Sequence, residues 1–148
     1  MLIVLITKQC REYYNYGQMD HVTLGRLKSK INTMCSTEAF DNDPNNKDKL
    51  EGYCKKIKKA KLYQDETGSY TLSKKDVYMC LTDKEGELYN DNTLMNVLLH
   101  EYAHVVNPTI GHGEDFQEKF EFLKYAAERA NVYNPSLPMP LDTYCKKD

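Results

Sequence analysis

Hydrophobic positions along this chain change period twice, dividing it into a helical stretch, a stretch of short strands and a second helical stretch. Leu24, Leu27, Ile31 and Met34 recur at the spacing of one helix face, predicting a helix over residues 21–35 with Asp20 as its cap. Asp41-Asn42-Asp43-Pro44-Asn45-Asn46 reads as a loop by composition, and a short helix is expected across residues 50–60. On that helix Lys55, Lys56, Lys58 and Lys59 continue into Lys61 as a basic run, expected to be a solvated face.

From residue 60 to 90 the period shortens to two. Candidate strands are 61–64, then 69–73 after the turn signal Thr67-Gly68, then 76–82. In the last, Val77, Met79 and Leu81 alternate with Tyr78, Cys80 and Thr82. Lys84-Glu85-Gly86 supplies a turn, after which 87–89 is expected to return as a hairpin strand.

Helical spacing then resumes. Asn92 is expected to cap a helix over 93–106, which Pro108 stops. A second helix is expected over 114–130, its apolar stripe formed by Phe116, Phe120, Leu123, Ala127 and Ala130. Glu114 and Asp115 fall in its first turn, where negative charge favours the helix dipole. Residues 134–140 carry three prolines and read as an irregular tail packed across the domain. The order helix, small sheet, helix, helix predicts a single α+β domain over 1–148, with a small sheet that is mostly antiparallel or mixed.

Composition narrows the function classes. The chain has 148 residues, 41% apolar and 28% charged, as in soluble globular domains, and a net charge of −2 that argues against a dedicated nucleic-acid or membrane binder. The apolar run Leu2–Ile6 is too short to span a bilayer and no small-residue cleavage site follows it. It reads as a short edge strand, with a cropped anchor as the alternative. The resulting expectation is an intracellular, cytoplasmic protein; for a viral version the virion is a further location. Five cysteines (Cys10, Cys35, Cys54, Cys80 and Cys145), odd in number and without a CxxC, predict free, mostly buried thiols in a reducing compartment.

The chemistry concentrates in His100-Glu101-Tyr102-Ala103-His104, an HExxH. Residues four apart on a helix lie about 40° apart around its axis, so both imidazoles point the same way and can share one tetrahedral zinc. Glu101, rotated about 100° from His100, flanks such an ion within reach of a water. In helical projection His100, Glu101 and His104 share one arc, opposite Leu94, Leu98, Leu99, Tyr102, Val105 and Val106. The polar triple is therefore expected to face a cleft. A shuffled chain of this composition yields an HExxH fewer than about once in a hundred.

His112 follows His104 by eight residues, across a connection in which Pro108 ends the helix and Gly111 permits a tight reversal. That reversal would bring His112 to the metal as third ligand, leaving the fourth position open as catalysis requires. Asp115, Glu118 and Glu121 on the next helix are the alternatives for that place.

The run from His100 to Val106, followed by His112-Gly113-Glu114-Asp115-Phe116, resembles the zincin metallopeptidases, and within them the WLM and SprT-like groups. Asn92-Thr93-Leu94-Met95 before the motif and Phe120, Leu123 and Ala127 after it resemble the small stand-alone versions of large DNA viruses and some microbes. The resemblance covers residues 69–133 and is strongest over 94–116. Metzincins place a glycine and their third ligand three and six residues after the second histidine; here Asn107 and Ile110 stand there. The gap to His112 also exceeds the usual WLM spacing. Met139 stands where a Met-turn would be sought, although an ordinary proline-rich tail is the preferred reading.

The resemblance implies a zincin-like fold with an active-site helix and a following C-terminal helix. It implies a Zn2+ cofactor on His100, His104 and His112, and peptide-bond hydrolysis with Glu101 as general base. Tyr133 or Tyr144 are candidates for stabilising the oxyanion, and Asp115 for supporting a ligating histidine. The partner would be a protein or peptide substrate, which by analogy could add to an exposed strand edge within residues 69–81. Two alternatives stay open: a protease for DNA-associated proteins, supported internally only by Lys55–Lys61, and a non-catalytic zinc-binding module.

Overall fold

A computed structural model describes residues 21–36 and 38–140. Leu2–Ile6, the Asp20 cap, Cys10, Tyr144 and Cys145 lie outside the described residues. Helix α1 covers 21–35 and buries the expected stripe, with Leu27, Ile31 and Met34 almost wholly removed from solvent. A single 3-10 turn, Glu38–Phe40, drives Phe40 into the core.

Helix α2 spans Pro44–Lys59 and so begins six residues earlier than its hydrophobic pattern suggests. The Asp43 carboxylate accepts from the Asn46 backbone N–H, and Pro44 occupies the first turn, where its missing N–H costs nothing. What composition marks as a loop is thus a helix start, because Asn and Asp suit caps as well as turns. Lys55, Lys56, Lys58 and Lys59 of α2 are exposed, while Leu50, Cys54 and Ile57 face inward.

Three short strands follow: β1 (Lys61–Gln64), β2 (Tyr70–Leu72) and β3 (Asp76–Met79). They form a mixed sheet in the order β1-β3-β2, with β1 parallel and β2 antiparallel to β3. Register puts Leu62, Val77 and Thr71 side by side on the inner face. On the outer face Tyr63, Tyr78 and Tyr70 stack across all three strands, with ring centroids 5.0 and 4.8 Å apart. β3 stops before the expected Thr82, because the Ser69 hydroxyl takes the Cys80 backbone N–H at 2.8 Å in place of a ladder partner. The expected return strand at 87–89 is reduced to a bridge between Thr82 and Leu88 and a bond from Tyr89 N–H to the Leu81 carbonyl.

Helix α3 (Asp91–Val106) is capped by Asn90, not Asn92: the Asn90 side chain accepts from Thr93 N–H at 2.8 Å. Asn92 instead exchanges two hydrogen bonds with Asn134, fastening the tail across the helix start. Helix α4 (Glu114–Arg129) ends beyond Ala130 on Asn131, whose φ of 63° lets Val132 N–H reach the Ala127 carbonyl. α3 packs against α2, α4, β2 and β3, and one continuous core joins all these elements. No helix among the described residues is long and apolar enough to cross a membrane.

The expectation of free thiols fails for Cys35, Cys54 and Cys80, which are disulfide-bonded. Cys35 at the end of α1 and Cys54 within α2 form a buried disulfide, their Cα atoms 5.9 Å apart. Their 19-residue separation gave no sign of it, since only the packing of α1 on α2 brings the two to bonding distance.

Candidate metal centre

The site grows from α3. Its central location buries Leu94, Leu98, Leu99, Tyr102, Ala103 and Val106, each such side chain contributing about 1.5–3 kcal/mol when large and apolar. That burial fixes the rotation of the helix, and rotation decides where His100 and His104 point. Both are half-buried on the side facing α4 and the 107–113 loop.

His112 joins them. α3 ends at Val106, Pro108 follows, and Gly111 adopts a φ of +98°, a conformation that favours glycine. The Asn107 amide donates to the carbonyl and hydroxyl of Thr109, which folds the loop back on itself. One ring nitrogen from each of His100, His104 and His112 lies within 4.8 Å of the others, and Nε2 of His104 and of His112 are 3.1 Å apart. Asp115, Glu118 and Glu121 are exposed and stand outside this group. Glu121 pairs instead with Lys124 at 2.8 Å.

Phe116, fully buried in the first turn of α4, backs the trio. Its ring centroid lies 4.9 Å from His100, 4.4 Å from His104 and 4.9 Å from His112, and Phe120 adds a second wall 5.2 Å from His100. The imidazoles are therefore held by aromatic packing on one side.

Glu101 departs from the simple projection. It is only 1% exposed, so its carboxylate does not look out into an open cleft. It points toward β2, where the Thr71 hydroxyl lies 2.9 Å from Oε1 and 3.2 Å from the Glu101 carbonyl. The hydroxyl has one proton, and the carboxyl oxygen is the nearer of the two acceptors. Oε2 stays on the side of the histidines, 4.0 Å from His100 Nε2.

The turn between β2 and β3 closes the other side. Lys74 donates to the carbonyls of His104 at 3.1 Å and Thr109 at 2.9 Å. Partial burial lowers its pKa, and the nearby charge of Lys56 adds to the effect. A cavity of about 410 Å³ opens between this turn and the loop, lined by Thr71, Ser73, Lys74, His104, Ile110 and His112. Ile110 on its rim is 96% exposed.

Neither Thr71 nor Lys74 carries a sequence signal for this role, since both contact α3 across 30 residues of chain. Phe116 was legible as one member of a helical stripe and as the end of the run His112–Phe116, but not as the wall behind all three rings. The Tyr133 hydroxyl lies 2.7 Å from the Asn96 amide, one helical turn before His100, and Asp115 is exposed at the start of α4.

Similar proteins occur in large DNA viruses. Over 86 residues the chain is 40% identical to uncharacterized protein 042R of Invertebrate iridescent virus 3, covering 57% of this chain and 53% of that one. It is 34% identical over 85 residues to uncharacterized protein 136R of Invertebrate iridescent virus 6, covering 55% and 47%. It is 36% identical over 90 residues to uncharacterized protein R325 of Acanthamoeba polyphaga mimivirus, covering 57% and 46%. The chain thus spans about half the length of the curated relatives it matches. No family model matches the sequence. No solved structure matches the fold.

Proposed function

We propose that this protein is a zinc-dependent metallopeptidase of zincin-like fold, with His100, His104 and His112 holding the ion and Glu101 as general base. The observation that carries the reading is the convergence of three imidazole nitrogens beside a buried carboxylate.

The donor set fits zinc. A tetrahedral ion with bonds of about 2.0–2.1 Å sets its donors about 3.3–3.4 Å apart, close to the 3.1 Å between the His104 and His112 nitrogens. Three protein donors leave one position open, the arrangement of catalytic rather than structural zinc. The cavity beside His104 and His112 gives a substrate access to that position.

Zinc in this site would supply Lewis acidity, polarising a carbonyl and making water acidic near neutral pH. Glu101 then takes the proton from the attacking water at Oε2 and delivers it to the leaving amine. Thr71 holds Oε1 throughout, so the base turns a single oxygen toward the reaction. Packing on Phe116 keeps the three rings converged before substrate arrives, which limits reorganisation during the reaction.

The test is Glu101→Gln assayed on an unstructured protein substrate, with metal analysis of the same samples. The variant is expected to retain zinc and lose cleavage. Undiminished cleavage would falsify the assignment of the base. Wild-type protein that carries zinc and cleaves nothing would support a non-catalytic zinc module instead.

A further inference from the structure

We propose that Lys74 is a positioning residue for the third histidine: its ammonium ties the loop that carries His112 to the last turn of α3, which carries His104. The proposal rests on the metal-centre reading above.

Two hydrogen bonds carry it. Lys74 Nζ donates to the carbonyl of His104 at 3.1 Å and to the carbonyl of Thr109 at 2.9 Å. The first acceptor belongs to a residue whose ring is in the site. The second lies three residues before His112. One cation therefore spans the helix end and the loop. The His104 carbonyl is among the last four of α3, which have no partner within the helix, and a cation there also meets the negative end of the helix dipole. An ammonium suits the task, with three donors on a long stem.

Lys74 acts beside two other supports, the Asn107–Thr109 bonds within the loop and the His112 ring packed on Phe116 at 4.9 Å. Pro108, Thr109, Ile110 and His112 are exposed, so burial does not fix their positions. Gln117 reaches the His112 carbonyl only at 3.5 Å. A ligand on an untethered loop pays an ordering cost when it binds metal, and a tether removes that cost beforehand.

The turn that delivers Lys74 is itself unusual. Lys75 N–H bonds the Leu72 carbonyl, and the two residues between, Ser73 and Lys74, have φ of 54° and 57°. Such mirror-image turns ordinarily take Asn-Gly, because L side chains adopt them at a cost. A hairpin that needed only to reverse would not require a lysine there. A lysine reaching across to α3 does account for it.

The experiment is zinc affinity measured by chelator competition, with Co2+ absorption reporting coordination. It compares wild type, Lys74→Met, Lys74→Arg, His112→Ala and the Lys74→Met/His112→Ala double variant. Lys74→Met is expected to weaken zinc binding about 10- to 100-fold, the usual loss for a contact that orients a ligand, while Lys74→Arg retains most of the affinity. In the His112→Ala background Lys74→Met should have no further effect, since the group it positions is gone. Electrostatics alone predicts the opposite sign, because removing a positive charge near a dication tightens binding. Equal or tighter binding by Lys74→Met therefore overturns the proposal, as does the same loss in both backgrounds. Lys74→Gln, with its stem and one neutral donor group, is expected to lose affinity to an intermediate degree and carries the comparison if the methionine variant does not fold. Wild-type protein that binds no zinc would overturn the metal centre itself, an outcome distinct from the others.

Discussion

The Thr71 hydroxyl reaches Oε1 of Glu101 at 2.9 Å from the inner face of β2, thirty residues earlier in the chain. A carboxylate that is 1% exposed needs such a donor, because an ionised group taken from water without partners is expensive. The strand is therefore coupled to the chemistry of the helix.

Thr71→Val keeps the shape of the side chain and removes the donor. It is expected to destabilise the fold by about 1–3 kcal/mol, the cost of removing a hydrogen-bond donor from a buried carboxyl group. Thr71→Ser should recover most of that loss. Chemical denaturation of the three proteins checks both statements, and equal midpoints for Thr71→Val and wild type would show that water serves Glu101 as well as the hydroxyl does.

Phe116→Ala removes the wall shared by His100, His104 and His112. The cavity should cost about 3–5 kcal/mol. Zinc affinity should fall with it, since all three rings lose packing at once. Phe116→Leu, closer in volume, is expected to lose less of both. Calorimetric unfolding alongside metal titration separates the two effects, and unchanged affinity in the folded alanine variant would show that the loop and helix orient the rings unaided.

Acid sensitivity should trace partly to Asp91. Its carboxyl is held below the usual carboxylate range, first by the hydrogen bond from Arg26 and further by the charges of Arg26 and Lys30. Arg26 grips it with two bonds of 2.9 and 3.1 Å, joining α1 to the start of α3. A depressed folded pKa means the contribution is complete above about pH 4, near the unfolded value, and is lost as pH falls through the folded one. Both partners are partly exposed, so the pair should add only about 0.5–1 kcal/mol. Asp91→Asn should therefore be less stable than wild type at pH 7 and indistinguishable from it near pH 2. A constant difference across that range would assign the effect elsewhere.

Replacing Cys35 and Cys54 with alanine opens a cross-link between residues 19 apart, worth about 3 kcal/mol in a chain-entropy account. The melting temperature should drop by several degrees. Zinc affinity should stay the same, because neither cysteine belongs to the histidine cluster. A loss of zinc binding in the folded variant would reveal that α1 and α2 help orient the site.

Legibility differed between elements for identifiable reasons. α1, α3 and α4 were readable because each buries a stripe at helical period, a pattern local to the sequence. The start of α2 was missed because Asp43-Pro44-Asn45 reads as a turn and as a cap with equal ease. The cap of α3 moved from Asn92 to Asn90 because two asparagines compete there, and contact of Asn92 with the tail decides between them. The far end of β3 was overestimated because alternation shows which side chains are buried, not which backbone groups find partners.

The same division runs through the site. His100 and His104 share a face because helical spacing alone dictates it, and the sequence by itself determined that relationship. It also made the reversal to His112 possible through Pro108 and Gly111. Tertiary structure decided the rest: that His112 completes the trio, that Glu101 is buried against Thr71, that Lys74 bridges helix and loop, and that Cys35 meets Cys54. Each of these pairs residues far apart in the chain, or fixes a loop that local preferences leave several ways to fold. Such contacts are selected by how whole elements pack and not by the periodicity within any one of them.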